Sequence, residues 1–181
     1  MIYPTVAYGD PILKKVAKEI ELNTDIKDIV ENMFETMYTA RGLGLAAPQI
    51  NKSIRLFIID TEYAEEEKER QIKRAFINPE IIEESEEEWA FEEGCLSIPD
   101  IHSDIVRPES IVLRYYTEDW ELKEETFDGI NARVILHEFD HLEGILFTDY
   151  VQGLKKRMMK KKLMNISKGK IHSRYKMKFP V

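Results

Sequence analysis

An α+β fold is what this sequence predicts: strands packed around a central helix, with another helix near the C-terminus. Strand-like runs occupy the middle of the chain, and a helical stretch with an inward-facing stripe follows them. Strands first and then a helix docked on them give this fold class. No repeat, Ser/Pro linker or break in composition divides the chain, and its 181 residues suffice for one domain with a real core. The expected division is a single domain over 1–165 that includes the C-terminal helix, then a basic tail over 166–181 that is free to be flexible.

Taken in order, Asp10-Pro11 reads as an N-cap followed by proline at the first helical position, opening a short helix to about Glu19. Thr24 is expected to cap a longer helix. In it Ile26, Ile29, Val30, Met33, Phe34, Met37 and Tyr38 recur at helical spacing, and Gly42 stops it. Ile54 to Asp60 reads as a strand. Glu62 to Arg74 is highly charged and is expected to be an exposed excursion. Ala75–Glu84 and Glu86–Phe91 are expected to form a hairpin whose many glutamates mark a solvated face. Asp104–Thr117 and Glu121–Phe127 supply further strands. Asp128 caps a helix from about Ile130 to Leu142, and Leu154–Asn165 forms the terminal helix.

The composition, 43% hydrophobic and 33% charged, is that of a soluble protein. No apolar stretch reaches the length of a membrane span. The start of the chain shows neither a secretory signal nor an Arg-rich presequence. One cysteine makes no internal disulfide. Cytoplasmic residence without membrane contact is the expectation. The net charge of −8 is unevenly spread. Residues 151–181 hold 11 Lys or Arg and no acid, while all 34 acidic residues lie before them. This basic end either meets an anionic partner or balances an acidic body.

His137-Glu138-Phe139-Asp140-His141 fits the H-E-x-x-H pattern. Two histidines four residues apart on a helix lie within roughly 40° of one face and can share an ion. Glu138, beside that face, can act on a bound water without being a ligand. Such windows also arise by chance, but Ile130 and Val134 extend the histidine stripe backwards, which turns the face inward. Buried polar groups need partners, and a metal supplies one. An open catalytic site needs a third protein ligand. Asp140 and Glu143 are too close along the helix, and His172 lies in the basic end. Cys95, within Glu93-Gly94-Cys95-Leu96-Ser97, is the candidate, as a soft thiolate suited to Zn²⁺ or Fe²⁺. A third segment, Gly42-Leu43-Gly44-Leu45-Ala46-Ala47-Pro48-Gln49, permits close approach through its small residues and ends in an amide. Alone it reads as a helix stop and a tight turn.

Together these three segments resemble the peptide deformylase family, whose G-φ-G-φ-A-A-x-Q, E-G-C-L-S and H-E-x-D-H motifs appear here in order. The resemblance implies metal-dependent removal of the N-formyl group from the initiator methionine of nascent polypeptides, releasing formate. It implies Cys95, His137 and His141 as ligands of one divalent ion, usually Fe²⁺, with Ni²⁺, Co²⁺ or Zn²⁺ as substitutes. It implies Glu138 as acid/base, and Gln49 with the Leu96 backbone N–H as donors to the formyl oxygen. Leu43, Gly44, Phe91, Glu93, Gly94, Ile130 and Val134 are the implied substrate-binding positions. Arg133 stands where an apolar residue is common, which predicts a more polar pocket rim. Asp140 is expected to pair with Arg107. A ribosome, met through the basic end, is the expected partner beside the formylated nascent chain. A zinc endopeptidase and a non-catalytic RNA-associated module are the competing readings.

Overall fold

A computed structural model describes residues 1–180. The strands are β1 (Thr5–Val6), β2 (Gly44–Ala46), β3 (Leu56–Asp60), β4 (Lys73–Glu84), β5 (Glu88–Cys95), β6 (Ile98–Pro108), β7 (Ser110–Tyr116), β8 (Leu122–Asp128) and β9 (Met177–Lys178). The α-helices are α1 (Lys27–Thr39), α2 (Gly129–Leu142) and α3 (Gly153–Ser167). Five strands form an antiparallel sheet in the order β2-β3-β4-β7-β8. β5 and β6 form a separate antiparallel ribbon, and β1 pairs in parallel with β9.

Each element follows from its residues. β3 is apolar up to its final aspartate and is buried at all five positions, as a strand covered on both faces must be. On β6, Ile101, Ser103, Ile105 and Arg107 alternate inward against exposed neighbours. An aromatic cluster of Phe57, Phe76, Tyr115 and Phe127 joins the sheet to α2, with Phe76 4.9 Å from Phe57 and 4.6 Å from Tyr115 between ring centres. Rings at such spacing add attraction beyond the area they bury. Ala132, Ile135 and Leu142 of α2 pack into this cluster. The opposite side of α2 meets the β5–β6 ribbon, so the helix is enclosed between two sheets.

The structure redraws several expectations. The first helix is one 3₁₀ turn, Pro11–Lys14, capped by Asp10 through Ile12 N–H at 3.0 Å. Thr24 caps nothing; its hydroxyl donates to the Glu21 carbonyl, and Asp25 accepts from Lys27 N–H. Within the charged excursion, strand structure resumes at Lys73. β4 and β5 form no hairpin: β4 joins β7 across the main sheet, and β5 turns onto β6. The single strand read over Asp104–Thr117 is two strands in different sheets, divided after Pro108, which has no N–H for a ladder. Asp128 precedes α2 without capping it by its side chain and pairs with Arg70 instead.

The C-terminal end is folded back onto the body. Thr5 N–H donates to the Lys176 carbonyl at 2.9 Å and Ala7 N–H to the Lys178 carbonyl at 2.8 Å. The Phe179 ring covers Gly169, which has φ +65°. Among the described residues, no helix is long and apolar enough to cross a membrane.

Candidate metal centre and substrate cleft

Cys95 closes β5, and only Leu96 and Ser97 separate it from its cross-strand partner Ile98. The ladder slips between Glu93 and Cys95. A bulge of this kind re-aims the next side chain, and here Cys95 meets the inward face of α2. The ligand atoms of Cys95, His137 and His141 lie within 4.8 Å of one another. Cys95 Sγ is 3.4 Å from His141 Nε2. The three atoms therefore surround one point, as a tetrahedral site with a fourth, open position requires. His137 Nδ1 is 2.8 Å from Glu93 Oε1, which leaves Nε2 free for an ion and fixes the ring. Burial holds the His141 imidazole well below its ordinary pKa. That favours the neutral, ligating form.

Glu138 lies on the same helix with its carboxylate buried and Oε2 without a hydrogen-bond partner. Burial pushes its pKa up to about 7, against the opposing pull of His137. Gly44 makes room for it: a Cβ there would sit 2.6 Å from Glu138 Oε1. The close approach that the small residues permit thus admits a side chain. Gln49 is buried; its Oε1 accepts from Ala46 N–H at 2.9 Å, and its Nε2 donates to Cys95 Sγ at 3.5 Å and Ser97 Oγ at 3.3 Å.

Beneath the ligands lies a buried network of two carboxylates and two guanidiniums. Arg107 grips Glu93 with two bonds of 2.7 and 2.9 Å and reaches Asp140 at 2.8 Å. The expected Arg107–Asp140 pair is present, and Tyr150 donates to the same Asp140 oxygen at 2.8 Å. Arg133 bonds Glu93 at 2.8 Å and the Trp89 and Ile105 carbonyls at 2.7 and 2.8 Å. It is therefore a buried strut that also borders the cleft. Burial alone would raise the Glu93 pKa, but hydrogen bonds from His137 and Arg107 hold it well below the carboxylate range. Equal numbers of opposite charges, each hydrogen-bonded, are the condition under which buried ions are tolerated.

A cleft of about 970 Å³ opens over the ligands, lined among others by Leu43, Gly44, Phe91, Gly94 and Val134. Glu93 also borders it, but both of its oxygens are engaged by the network. Ile130 packs on the aromatic cluster, outside the cleft lining, because it sits two turns above the ligands. Among the cleft residues that escaped the sequence reading are His102 and Tyr175. The bond from Arg133 to Glu93 was not foreseen, although Arg133 lies four residues before His137 on the inward stripe.

Three convergent soft and imidazole ligands, with a carboxylate beside them in a deep cleft, define a metal-dependent hydrolase. The family model described as Polypeptide deformylase matches residues 2–157. Similar curated proteins include a peptide deformylase of Cytophaga hutchinsonii, 52% identical, with 100% of this chain and 99% of that protein covered. A peptide deformylase of Christiangramia forsetii is also 52% identical, over 99% and 97%. Among solved structures, a peptide deformylase of Legionella pneumophila matches with a TM-score of 0.82 and 36% identity, covering 94% of this chain and 98% of that one. The chain belongs to the polypeptide deformylase family. That family consists of metal-dependent enzymes, and removal of the formyl group from N-formylmethionine peptides is its reaction.

Proposed function

We propose that this chain removes the formyl group from the N-terminal formylmethionine of nascent polypeptides and releases formate. The observation that carries this reading is the convergence of Cys95, His137 and His141, with the Glu138 carboxylate beside them, at the floor of the cleft. The donor set fits a divalent ion of intermediate softness, and Fe²⁺ is the ion proposed, with Ni²⁺, Co²⁺ or Zn²⁺ as substitutes. When bound, the ion supplies Lewis acidity to the attacking water and the formyl oxygen.

The remaining work falls to side chains and backbone. Glu138 takes a proton from the water and returns it to the departing amine, so the carboxylate ends as it began. Its raised pKa suits a group that must both accept and give a proton near neutrality. Gln49 Nε2 and Leu96 N–H are assigned as donors to the formyl oxygen as negative charge develops there. Gln49 already points its amide at the Cys95 sulfur. Leu43, Phe91 and Val134 form the apolar walls for the methionine side chain. Arg107 and Asp140 are positioning residues that hold Glu93 and α2 in place.

The basic α3 is assigned to the ribosome, where formylated chains emerge, and the cytoplasm is the compartment this implies. The deciding test is formate release from a formyl-Met peptide under anaerobic conditions, with and without a chelator. Chelator-sensitive release is expected. Cleavage of internal peptide bonds without formate release would favour an endopeptidase instead. With Fe²⁺, activity is expected to decay in air and to last longer with Ni²⁺, because a thiolate stands beside a redox-active ion.

A further inference from the structure

The turn that follows the ligand Cys95 and carries the Leu96 amide is only two residues long, and both ends of the chain grip it. Tyr8 N–H donates to the Ser97 carbonyl at 2.9 Å. Tyr175 Oη donates to the Leu96 carbonyl at 2.6 Å. The segments bearing these two tyrosines are zipped together by the β1–β9 pairing. Within the C-terminal segment, the Ser173 hydroxyl donates to the Tyr175 carbonyl at 2.8 Å and accepts from Tyr175 N–H at 3.3 Å, which fixes the backbone under the ring. Residues 172–175 form one wall of the cleft.

The amide and carbonyl of Leu96 are attached to the same α-carbon. With the carbonyl pinned on one side and Cys95 paired with Ile98 on the other, rotation about the Leu96 backbone bonds is restricted, which steadies its N–H. An oxyanion donor works only when its aim is fixed before charge develops. Inside the Cys95–Ile98 rung, Leu96 has no ladder partner of its own, so a bond from outside the ribbon is needed to hold it.

We infer that Tyr175 is a positioning residue of the active site, acting through the Leu96 backbone. The inference rests on the reading of Leu96 N–H as a donor to the formyl oxygen. Burial, with the charges of Cys95 and Asp100 adding to it, pushes the Tyr175 hydroxyl well above its ordinary pKa. It therefore stays protonated and able to donate across the working pH range.

The test uses the full-length, metal-loaded protein whose formate release has first been measured. Tyr175→Phe removes one hydroxyl and keeps the ring that packs the wall. Losing a hydrogen bond that acts on the reacting geometry is expected to lower kcat about three- to tenfold. KM should stay within about twofold, since the wall is intact. Metal content and unfolding temperature should match the parent, while amide hydrogen exchange over residues 95–98 becomes faster. Lys176→Ala, which trims the exposed next residue of the same segment, should change none of these. An unchanged kcat in Tyr175→Phe would overturn the inference, whatever the exchange rates do. So would a loss confined to KM, or an equal loss in Lys176→Ala. A parent protein that released no formate would instead overturn the functional reading, before any variant is made.

Discussion

Helices α2 and α3 are nearly equal in length and opposite in character. Eleven of the 14 residues of α2 are buried, including His137, Glu138, Asp140, His141 and Arg133. Of the 15 residues of α3, only Met159 and Ile166 are buried, and Leu154 and Met158 stand 71% and 70% exposed among its lysines. Polar groups on α2 are enclosed, so each needs a defined partner and the arrangement admits few alternatives. Charges on α3 are solvated and interact weakly with the body. Substitution should therefore have large, chemically specific effects on α2 and almost none on the stability contributed by α3.

The sharpest contrast comes from Glu138→Gln. An amide cannot accept the water's proton, and general acid–base catalysis contributes about 10²- to 10⁴-fold. The metal-loaded variant should lose turnover on that scale while keeping its metal, as measured by elemental analysis beside the formate assay. Normal turnover would remove Glu138 from the mechanism. Cys95→Ala should lose both metal and activity, because two histidines alone leave the site short of a ligand. Stoichiometric metal with normal turnover would send the third ligand elsewhere.

Beneath the ligands, Arg107→Met leaves Glu93 and Asp140 with fewer positive partners in a buried setting. Breaking such a network from one side costs about 3–5 kcal/mol. Chemical denaturation should register this as a lower midpoint, with loss of metal affinity because Glu93 no longer holds His137 Nδ1 from a fixed position. A loss under about 1 kcal/mol would mean that water enters and solvates the carboxylates, and that the enclosure of α2 is less complete than its burial indicates.

Sequence made α2 readable because its stripe and its chemistry coincide. His137 and His141 sit one turn apart, Val134 continues the inward face, and the acidic residue beside them had an obvious task. The Arg107–Asp140 pair came from the family resemblance instead, since the local pattern alone left Asp140 readable as an exposed helical acid. Strand pairing was harder. The break after Pro108 moves the chain from one sheet to another; the proline marks the break, but nothing in the local pattern says that the two halves join different sheets. β5 was taken for β4's partner because adjacent strands usually pair; here the ribbon has to fold over α2 to deliver Cys95. Tyr175 was invisible because its partner lies 79 residues away and is a backbone carbonyl, which carries no side-chain signature. The C-terminal segment read as a free tail on charge alone, yet its alternate residues Tyr175, Met177 and Phe179 are partly buried.

The smallest effect on the folded molecule, and the one that isolates α3, is expected from Lys155, Lys156, Lys160 and Lys161 changed together to Gln. All four are exposed, and glutamine has nearly the helix propensity of lysine. Each change should alter stability by no more than about 0.5 kcal/mol, and turnover of a short formyl-Met peptide should match the parent. This variant is a cleaner probe than truncation after Asn165, which would also strip β9 from β1 and Tyr175 from the catalytic turn. If α3 meets ribosomal phosphates, co-sedimentation of the parent with ribosomes should weaken steeply as salt rises, because bound counterions are released on binding. The variant should bind less at low salt, and its dependence on log salt should flatten by about 0.7–0.9 for each phosphate that a lysine no longer neutralises. Equal co-sedimentation and equal slopes would mean that the lysines only offset the acidic body, whose first 150 residues carry 34 acids against 15 bases. In that outcome α3 would be a solvated face, and the contrast with α2 would be one of burial alone.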